Sequence, residues 1–375
     1  MKIGFDAKRF FNNFTGLGNY SRFVISALSE NIPENEYFLY APKIKNHSEF
    51  NLILERPNIR AIKAPSIYNN LKAGSLWRTW GISREASIKK LDVFHGLSQE
   101  LPLKMPVGIK KIVTVHDLIF IRYPELYNPL DVFIYKVKVK AACQQADKIL
   151  ATSIQTKSDI VDFLKINPEK IDVVYQGCHP SFKKKFSVAE IEKVKTKYKL
   201  PERYILNVGT IEERKNVLLL IKALSQLPND LKSHVVVIGR ATKYKMRITE
   251  EAKRLGVGER ITFLHNVPFA DLPAIYQSAG IFVYPSVFEG FGIPIVEALE
   301  SSVPVIAATG SCLSEAGGPG SIYVNPSDEG ELAEQLKNVL TDNELRTRMI
   351  ASGKNYIEQF EPRVIAEKLL SAYKI

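Results

Sequence analysis

Two glutamates lie eight positions apart in the segment SVFEGFGIPIVEALE, which runs from Ser286 to Glu300. Glu289 precedes a Gly-Phe-Gly-Ile-Pro run and Glu297 follows it. Two such carboxylates could act as an acid and a base, or they could accept hydrogen bonds from the hydroxyl groups of a sugar. A solvated loop glutamate and a partner of a helix dipole are the plainer interpretation, and the residue types alone leave all of these open.

The residues between the two glutamates favour contact with phosphate. Pro294 suits the first turn of a helix, because it has no amide hydrogen to leave unpaired there. Gly290 and Gly292 leave the backbone free to turn its amides towards a ligand. Amides at a helix start attract anions, and the helix dipole adds to this attraction. The segment therefore predicts a site where amides bind phosphates and carboxylates hold the sugar parts of one ligand.

A basic pair follows an earlier strand pattern. The stretch ILNVGTIEERKN places Gly209, Thr210, Arg214 and Lys215 just past a predicted strand. Arginine can bind phosphate oxygens bidentately and lysine acts as a point charge, so the pair suits a diphosphate. Adjacent charges at a helix start are equally often only solvated, and the sequence does not decide between the two.

Two glycines near the N-terminus offer a second anion site. The stretch NNFTGLGNYSRFVISAL places Gly16 and Gly18 before a predicted helix, where backbone can approach an anion closely. A dinucleotide-binding fingerprint would need a third glycine and an acid ending the second strand. Ser21 holds the third position, and the second strand ends in LYAP, which counts against an NAD-dependent oxidoreductase. A glycine turn without a ligand is the alternative.

Two single residues complete the candidate set. His116 ends the buried strand pattern KIVTVHD, where it could donate to an anionic oxygen or change its protonation near neutral pH. A histidine whose ring is satisfied by the backbone is the alternative. Val267 follows the strand pattern ITFLHN, and its backbone could contact a nucleobase.

The elements that position these residues alternate between short β-branched runs and longer helical patterns. About six strands in each half, with helices between them, indicate parallel sheets built by βαβ crossovers. We predict an α/β protein of two doubly wound, Rossmann-like domains facing a central cleft. The first domain spans residues 1–180 and the second 187–358, with the Lys-rich segment 178–204 as linker and hinge. A helix over 360–375 could pack on either domain.

Composition indicates a globular chain of 375 residues, with 45% hydrophobic and 24% charged residues. No apolar run of eighteen residues occurs, and the N-terminal MKIGFDAKRF reads as a strand, so we expect neither a membrane span nor a secretory signal. The three cysteines, Cys143, Cys178 and Cys312, have no metal-like spacing. They suit buried, inert thiols in a reducing cytoplasm.

Positive charge is concentrated in the first half. Residues 1–180 carry 25 Lys and Arg against 17 Asp and Glu, a net +8, whereas residues 181–375 carry 26 against 23, a net +3. Nucleic acid, an anionic membrane surface and phosphorylated small molecules all fit, but no nucleic-acid recognition motif occurs.

Residues 71–90 contain Trp77 and Trp80 among basic residues, and this segment could touch a membrane surface. A core helix with a basic outer face is the alternative. The basic residues of the segment are Lys72, Arg78, Arg84, Lys89 and Lys90.

Taken in order, these motifs resemble the retaining, nucleotide-sugar-dependent glycosyltransferases of family 4, which have the two-domain GT-B fold. The resemblance covers essentially the whole chain, and the Glu, seven residues, Glu pattern around Gly-Phe-Gly-Ile-Pro is its most specific part. The other matching stretches are GLGNYSRFVISAL, LDVFHG, VHDLIFIRYPELY, VGTIEERKN and YVNPSD.

The resemblance implies a role for each candidate residue. Gly16 and its neighbour Gly18 would approach the donor diphosphate from one side, while Arg214 and Lys215 neutralise it from the other. Many family members have arginine after the glycine of VGT, where this chain has Thr210; Arg214 would supply that guanidinium. Glu297 would hold the donor ribose, Glu289 the transferred sugar near its anomeric centre, and His116 would lie at the reaction centre. The amides that would meet the sugar and diphosphate are those of Gly290, Phe291, Gly292 and Ile293.

The resemblance also implies a reaction. A hexose, with mannose favoured, would pass from a nucleoside diphosphate sugar to a saccharide or lipid-linked acceptor in polysaccharide biosynthesis, at or near the inner face of the cytoplasmic membrane. GDP-mannose is the favoured donor and a UDP-sugar is the alternative. We expect no cofactor and no nucleic acid partner. We also expect no metal, since the chain contains no Asp-x-Asp pair. A nucleotide-sugar epimerase and a non-catalytic nucleotide-sugar-binding protein of the same fold are the alternatives.

Overall fold

The computed structural model of the chain describes residues 1–45, 47–70, 73–231 and 233–374. The chain divides into two compact units, one formed by Met1–Gly177 with Phe360–Ile375 and the other by Cys178–Gln359. The segment 178–204 belongs to the second unit and is not a free linker. Within it, Phe182 is fully buried and its ring lies 5.3 Å from that of Tyr276.

Each unit is built on one parallel β-sheet. In the described part of the chain, the first sheet has seven strands in the order β3-β2-β1-β4-β5-β6-β7, and the second has six in the order β10-β9-β8-β11-β12-β13. The strands of the first sheet are β1 (Lys2–Asp6), β2 (Glu36–Ala41), β3 (Ile59–Lys63), β4 (Val93–Gly96), β5 (Lys110–Val115), β6 (Lys148–Ala151) and β7 (Ile171–Val173). Those of the second are β8 (Tyr204–Val208), β9 (His234–Ile238), β10 (Ile261–Leu264), β11 (Ile281–Tyr284), β12 (Val305–Ala308) and β13 (Ile322–Val324).

Helices connect the strands. Those up to β7 are α1 (Lys8–Asn12), α2 (Gly16–Asn31), α3 (Ser48–Leu54), α4 (Ser66–Asn70), α5 (Gly74–Leu76), α6 (Ile82–Lys89), α7 (Ile119–Arg122), α8 (Pro129–Gln145) and α9 (Ile154–Leu164). The later ones are α10 (Val188–Tyr198), α11 (Val217–Gln226), α12 (Tyr244–Arg254), α13 (Leu272–Gln277), α14 (Ile293–Glu300), α15 (Leu313–Gly317), α16 (Glu329–Thr341), α17 (Asn343–Tyr356) and α18 (Pro362–Tyr373).

Shorter turns complete the chain. A π-helix spans Trp77–Gly81, and 3-10 helices span Pro124–Leu126, Pro168–Lys170, Pro180–Lys183, Glu213–Lys215, Asn229–Leu231, Gly258–Arg260, Phe269–Asp271 and Ile357–Phe360. None of the helices in the described ranges is long and apolar enough to cross a membrane.

The strands read as continuous apolar runs because helices cover both faces of each parallel sheet. Val235, Val236 and Val237 of β9 are fully buried, as are Phe282 and Val283 of β11. The predicted fold class of two doubly wound α/β domains is therefore confirmed. Helix α18 returns to the first unit, where it packs on α2.

The strand order fixes where a ligand can bind. In the second sheet the order reverses at the pair β8 and β11, whose connections leave towards opposite sides of the sheet. Ligands of doubly wound sheets bind outside the carboxyl ends of the strands at such a point. The loops that follow these two strands, residues 209–216 and 285–292, contain the basic pair and the first glutamate of the sequence motif.

The aromatic segment 71–90 is divided between core and surface. Trp77, in the π-helix, is 1% exposed and packs with Tyr40 of β2. Trp80 is about half exposed, and Lys104 Nζ lies 5.5 Å from its ring centre. Leu71 and Lys72 lie outside the described residues.

Candidate functional site

The basic pair and Glu289 form one ion cluster at the end of β8. Arg214 and Lys215 lie in the 3-10 helix between β8 and α11. Lys215 Nζ is 2.5 Å from Glu289 Oε1, and Arg214 Nη1 is 2.9 Å from the same oxygen. The three side chains are only 12–15% exposed. The loops that follow β8 and β11 therefore both contribute charge to a single, largely buried ion cluster.

Each cation has a second partner that fixes its direction. Arg214 donates to the backbone oxygen of Phe288, and its Nη2 donates to Glu212 Oε1 at 2.7 Å. Lys215 donates to the Tyr284 hydroxyl at 2.6 Å, with Nζ 4.9 Å from the centre of that ring. Tyr284 is the last residue of β11 and is fully buried. The cations are thus held by atoms of β11 and of the two loops.

Glu289 is ionised in this environment. Burial raises the pKa of its carboxyl, but the charges of Lys215 and Arg214 outweigh burial and hold the pKa below its ordinary value. Ser286 adds a hydrogen bond, with Oγ 2.5 Å from Glu289 Oε1. A carboxylate without a proton can only accept hydrogen bonds, for example from hydroxyl groups.

Hydrogen bonds hold the loop that carries Glu289 on two sides. The amide of Val287 donates to the Arg214 backbone oxygen at 2.9 Å. The thiol of Cys312 donates to the backbone oxygens of Glu289 and Phe291, at 3.0 and 3.3 Å. Cys312 was interpreted from sequence as an inert thiol, yet it supports the loop through these contacts. The sequence contains no signal for this role, because it depends on a neighbour more than twenty positions away.

Glu297 lies in a different environment in the second turn of α14. Gly292 precedes the helix with φ 120°, a left-handed conformation that favours glycine, and Pro294 occupies the first turn. Glu297 is 8% exposed and accepts a hydrogen bond from the Tyr276 hydroxyl at 2.9 Å. Burial raises the pKa of Glu297 to about 7, despite that hydrogen bond. The two glutamates of the motif therefore differ in charge near neutral pH.

The remaining candidates of the second unit are spread along the same sheet edge. Gly209 uses its amide to donate to the Ile238 backbone oxygen at 2.9 Å, so that amide is already paired. Thr210 and Ile293 are half-buried. Phe291 is buried, so its side chain belongs to the core. Val267 follows β10, two strands from β8, which is about 10 Å along the sheet edge.

The two N-terminal glycines lie inside the first turn of α2 and not before the helix, as the sequence had suggested. Gly18 is packed: its amide donates to the Thr15 backbone oxygen, and a Cβ there would lie 1.7 Å from the Asn13 backbone oxygen. At Gly16 an added Cβ would have nothing within 4 Å. Close packing against Asn13 therefore explains why position 18 is a glycine, whereas position 16 has room for a side chain.

His116 is buried at the end of β5 in the first unit. Its Nε2 lies 2.8 Å from the Leu97 backbone oxygen, so this nitrogen carries a proton and donates. Burial lowers the pKa of His116 to about 4, and the nearby charge of Arg9 also lowers it, while the bond to Leu97 raises it. The ring is therefore neutral at pH 7 with Nδ1 as acceptor, and the expectation of a change in protonation near neutral pH is wrong.

A buried polar chain that sequence reasoning missed supports His116. His95 Nδ1 is 2.7 Å from the Tyr373 hydroxyl, and its Nε2 is 2.8 Å from Thr114 Oγ1. The Tyr20 hydroxyl is 2.9 Å from the same Thr114 oxygen, and the Tyr20 ring packs edge-on against His116 at 4.5 Å. The chain thus links α18, β4, β5 and α2. In the described part of the protein, no group of three or more His, Cys, Asp and Glu side chains is placed to hold a metal ion.

Comparison with known proteins assigns both halves of the chain. Residues 16–182 match the family model described as Glycosyltransferase Family 4, and residues 188–356 match the model described as Glycosyl transferases group 1. The O-antigen chain mannosyltransferase B of Escherichia coli is 30% identical over 290 residues, 76% of this chain and 74% of that protein. The O-antigen chain mannosyltransferase RfbU of Salmonella typhimurium is 30% identical over 257 residues, 68% of this chain and 67% of that protein.

Solved structures share the fold. Anabaena Alr3699/HepE in complex with UDP-glucose superposes with a TM-score of 0.74 and 18% identity, over 100% of this chain and 99% of that one. WaaG, a glycosyltransferase involved in lipopolysaccharide biosynthesis, superposes with a TM-score of 0.70 and 17% identity, over 100% and 99%. At these identities the likeness concerns the fold alone.

Proposed function

This chain belongs to glycosyltransferase family 4, and from that premise we propose that it moves a hexose from a nucleoside diphosphate sugar to a saccharide or lipid-linked saccharide acceptor. Its relatives of 30% identity are named O-antigen chain mannosyltransferases, which supports mannose as the sugar and polysaccharide biosynthesis as the process. GDP-mannose is the favoured donor, and a UDP-sugar is the alternative.

The ion cluster of Arg214, Lys215 and Glu289 carries the proposal. The two cations face the carboxyl ends of β8 and β11, where a doubly wound sheet binds its ligand. A diphosphate bears more negative charge than one carboxylate, so it would displace Glu289 from the cations. Glu289 would then accept hydrogen bonds from the hydroxyl groups of the transferred sugar. One cluster thereby binds both parts of the donor.

The leaving group is stabilised by fixed charge in this proposal. Arg214, Lys215 and the N-terminus of α14 would offset the negative charge that develops on the diphosphate, without a metal ion or another cofactor. The bond between the anomeric carbon and the phosphate oxygen breaks, and the acceptor oxygen bonds to that carbon on the same face. The acceptor proton passes to the departing phosphate oxygen, so the anomeric configuration is retained.

The other residues would serve as follows. Glu297 would hold the two ribose hydroxyls, and the backbone of Val267 would contact the base. Gly16 would lie against the diphosphate. His116, neutral and with Nδ1 as acceptor, would accept a hydrogen bond from a hydroxyl of the transferred sugar at the reaction centre. We propose that the enzyme works in the cytoplasm, at the inner face of the membrane where a lipid-linked acceptor would lie.

A thermal-shift panel of GDP- and UDP-sugars tests the donor. A ligand at a hundredfold excess over its dissociation constant stabilises the folded protein by about 2.7 kcal/mol. We expect GDP-mannose to raise the melting temperature, and Lys215→Ala to abolish the shift. Lys222→Ala, at a half-buried position of α11 where Nζ lies 3.9 Å from Glu329 Oε1, is the matched control and should keep the shift. If no nucleotide sugar shifts the wild-type protein, the proposal fails.

Product analysis separates the transferase from its alternatives. An epimerase would convert the nucleotide sugar without an acceptor, and a binding protein would show a thermal shift without turnover. The transferase should release the nucleoside diphosphate at a rate that depends on the acceptor concentration. Proton NMR of the product should show the anomeric configuration of the donor, and EDTA should leave the rate unchanged.

A further inference from the structure

Helix α8 has large apolar side chains on its solvent side. Leu130 and Phe133 are each 65% exposed, and Val137 is 52% exposed. With Ile134 they recur every three or four residues, so they form one stripe that covers about 100° of the helix circumference. A helix on a protein surface normally has polar residues on its outer side. The α8 stripe is the reverse of that pattern.

The core does not need this stripe. The opposite side of α8 is already packed against the first sheet, through the buried residues Val139, Ala142 and Cys143 with Val132 beside them. Buried Phe120 and half-exposed Tyr135 add a ring contact at 5.8 Å. The apolar side chains that point outward therefore contribute nothing to this core.

Lysines flank the stripe on both sides. On a helical projection Lys138 lies along one edge, and Lys136 and Lys140 lie along the other. All three are exposed, and Asp131 is the one acidic residue of the helix. We call Leu130, Phe133, Ile134 and Val137, together with the three lysines, the α8 face. It combines apolar area with three positive charges, which are opposed by Asp131 of the same helix and by Glu100, whose Oε1 lies 3.6 Å from Lys138 Nζ.

The exposed apolar surface continues past α8. Val137 and Leu103 line the same cavity of about 260 Å³. Leu103 is 40% exposed and its amide donates to the Thr79 backbone oxygen, next to the half-exposed Trp80. Lys104 stands over the Trp80 ring and adds a further positive charge. Exposed apolar and basic side chains are thus found beside α8 as well as on it, and the cavity between them is also lined by Asp6 and Glu100.

We propose that the α8 face docks on an anionic phospholipid bilayer, with its apolar stripe inserted among the lipids and its lysines near the headgroups. Apolar side chains bordered by lysines are what interfacial helices present to such membranes. A second copy of this chain is a poorer occupant, because two α8 faces would bring six lysines together against two copies each of Asp131 and Glu100. The docking goes beyond the proposed reaction and needs neither donor nor acceptor.

Vesicle sedimentation of the full chain tests this docking. We expect binding to mixed phosphatidylglycerol–phosphatidylcholine vesicles and at least tenfold weaker binding to pure phosphatidylcholine vesicles. The pair Lys136→Gln/Lys140→Gln should weaken binding to the mixed vesicles about 25-fold, since each lysine contributes about fivefold. The pair Phe133→Ser/Val137→Ser should weaken it at least tenfold through lost apolar contact.

Matched variants of the other unit are the controls. Met246→Ser/Val188→Ser changes two exposed apolar side chains, and Lys253→Gln/Lys337→Gln changes two exposed lysines. Both should bind the mixed vesicles as the wild type does. Absence of wild-type binding, or equal loss in the controls, would overturn the proposal. So would a dimer in sedimentation velocity that Phe133→Ser/Val137→Ser converts to a monomer, because the α8 face would then bind a second copy.

Because vesicle binding is measured without nucleotide sugar, its outcome is independent of the reaction. A protein that binds vesicles but no nucleotide sugar would overturn the proposed function alone. One that binds GDP-mannose but no vesicles would overturn the docking and the proposed location at the membrane, but not the proposed transfer of a hexose.

Discussion

Lys215 Nζ lies 2.5 Å from Glu289 Oε1, so a cation assigned to the donor diphosphate and a carboxylate assigned to the donor sugar neutralise each other in this structure. Arg214 shares the same oxygen at 2.9 Å. In the proposed function, donor binding would therefore exchange partners: the diphosphate would take the cations, and the carboxylate would take the sugar. The exchange would couple recognition of the two halves of the donor, because neither half would bind fully unless Glu289 leaves its cations.

Glu289→Gln separates the two roles of this carboxylate. We expect kcat to fall at least about a hundredfold, since a charged group that faces the reacting sugar is lost. The donor Kd should stay within about threefold of the wild type or become tighter, because the cations no longer have a competing anion. Calorimetric titration with GDP-mannose and initial-rate kinetics measure the two quantities.

Glu212→Gln is the control for Glu289→Gln. It also removes a carboxylate from Arg214, to which Glu212 Oε1 lies 2.7 Å away, but it leaves Glu289 in place. Its kcat should remain near that of the wild type. Weak donor binding with normal kcat in Glu289→Gln would contradict the assignment, and so would a sugar trapped covalently on Glu289.

In the proposed function, the raised pKa of Glu297 would make donor affinity depend on pH. Burial moves this pKa from its ordinary value near 4.5 to about 7. The ionised form is the better acceptor for two ribose hydroxyls, so affinity for the donor should rise between pH 6 and pH 8. Glu297→Gln should bind the donor about 10- to 100-fold more weakly at pH 8, with a flat pH profile. Titrations across this pH range give the comparison.

The Glu297 carboxyl also makes the free energy of unfolding depend on pH, in the opposite direction to donor affinity. Between pH 4.5 and about 7 the folded carboxyl keeps its proton while the unfolded one releases it. The free energy of unfolding therefore falls as pH rises through this range and levels off above it, by about 3 kcal/mol at most. Glu297→Gln lacks this loss and should be the more stable protein at pH 8, but not at pH 4.5. If the difference in stability between Glu297→Gln and the wild type does not change with pH, the raised pKa of Glu297 is contradicted.

Part of this molecule could be predicted from the sequence because the relevant signals are local. Continuous apolar runs between helical patterns give two parallel sheets, and both doubly wound domains are found. Gly292, Pro294 and the charged residues after β8 and β11 mark loops that the strand order then brings together. Which carboxylate would be ionised was not predictable, because the pKa of Glu289 depends on Lys215 and that of Glu297 on burial.

Other features depend on neighbours that are distant in sequence. Cys312 supports the loop of Glu289, and His95 joins Tyr373 to Thr114, although no spacing rule connects these positions. Helix α8 has apolar residues on two opposite sides, so periodicity cannot tell which of the two is buried. The tertiary packing decides that Val139 faces the core and Phe133 the solvent.

The two glycines of α2 should respond differently to alanine. Gly18→Ala places a Cβ 1.7 Å from the Asn13 backbone oxygen, so the helix start must move. Strain of about 2 kcal/mol would lower the melting temperature by about 5 °C. Gly16→Ala meets nothing within 4 Å and should keep the melting temperature or raise it. If Gly16 lies against the diphosphate, the same variant should still raise the donor KM at least tenfold; an unchanged KM would leave Gly16 as an ordinary helix residue.

Cys312 should act on catalysis through the position of the Glu289 loop. Cys312→Ala removes the donor that pairs with two backbone oxygens, which costs about 1 kcal/mol and lets the loop shift. We expect kcat to fall about three- to tenfold, as a small displacement of a catalytic group does. Cys312→Ser keeps a donor and should recover most of the rate. Cys143→Ala, a buried cysteine of the other unit, should lower the melting temperature without changing kcat. A Cys312→Ala enzyme with wild-type kcat, or one that serine does not rescue, would show that these contacts do not position Glu289.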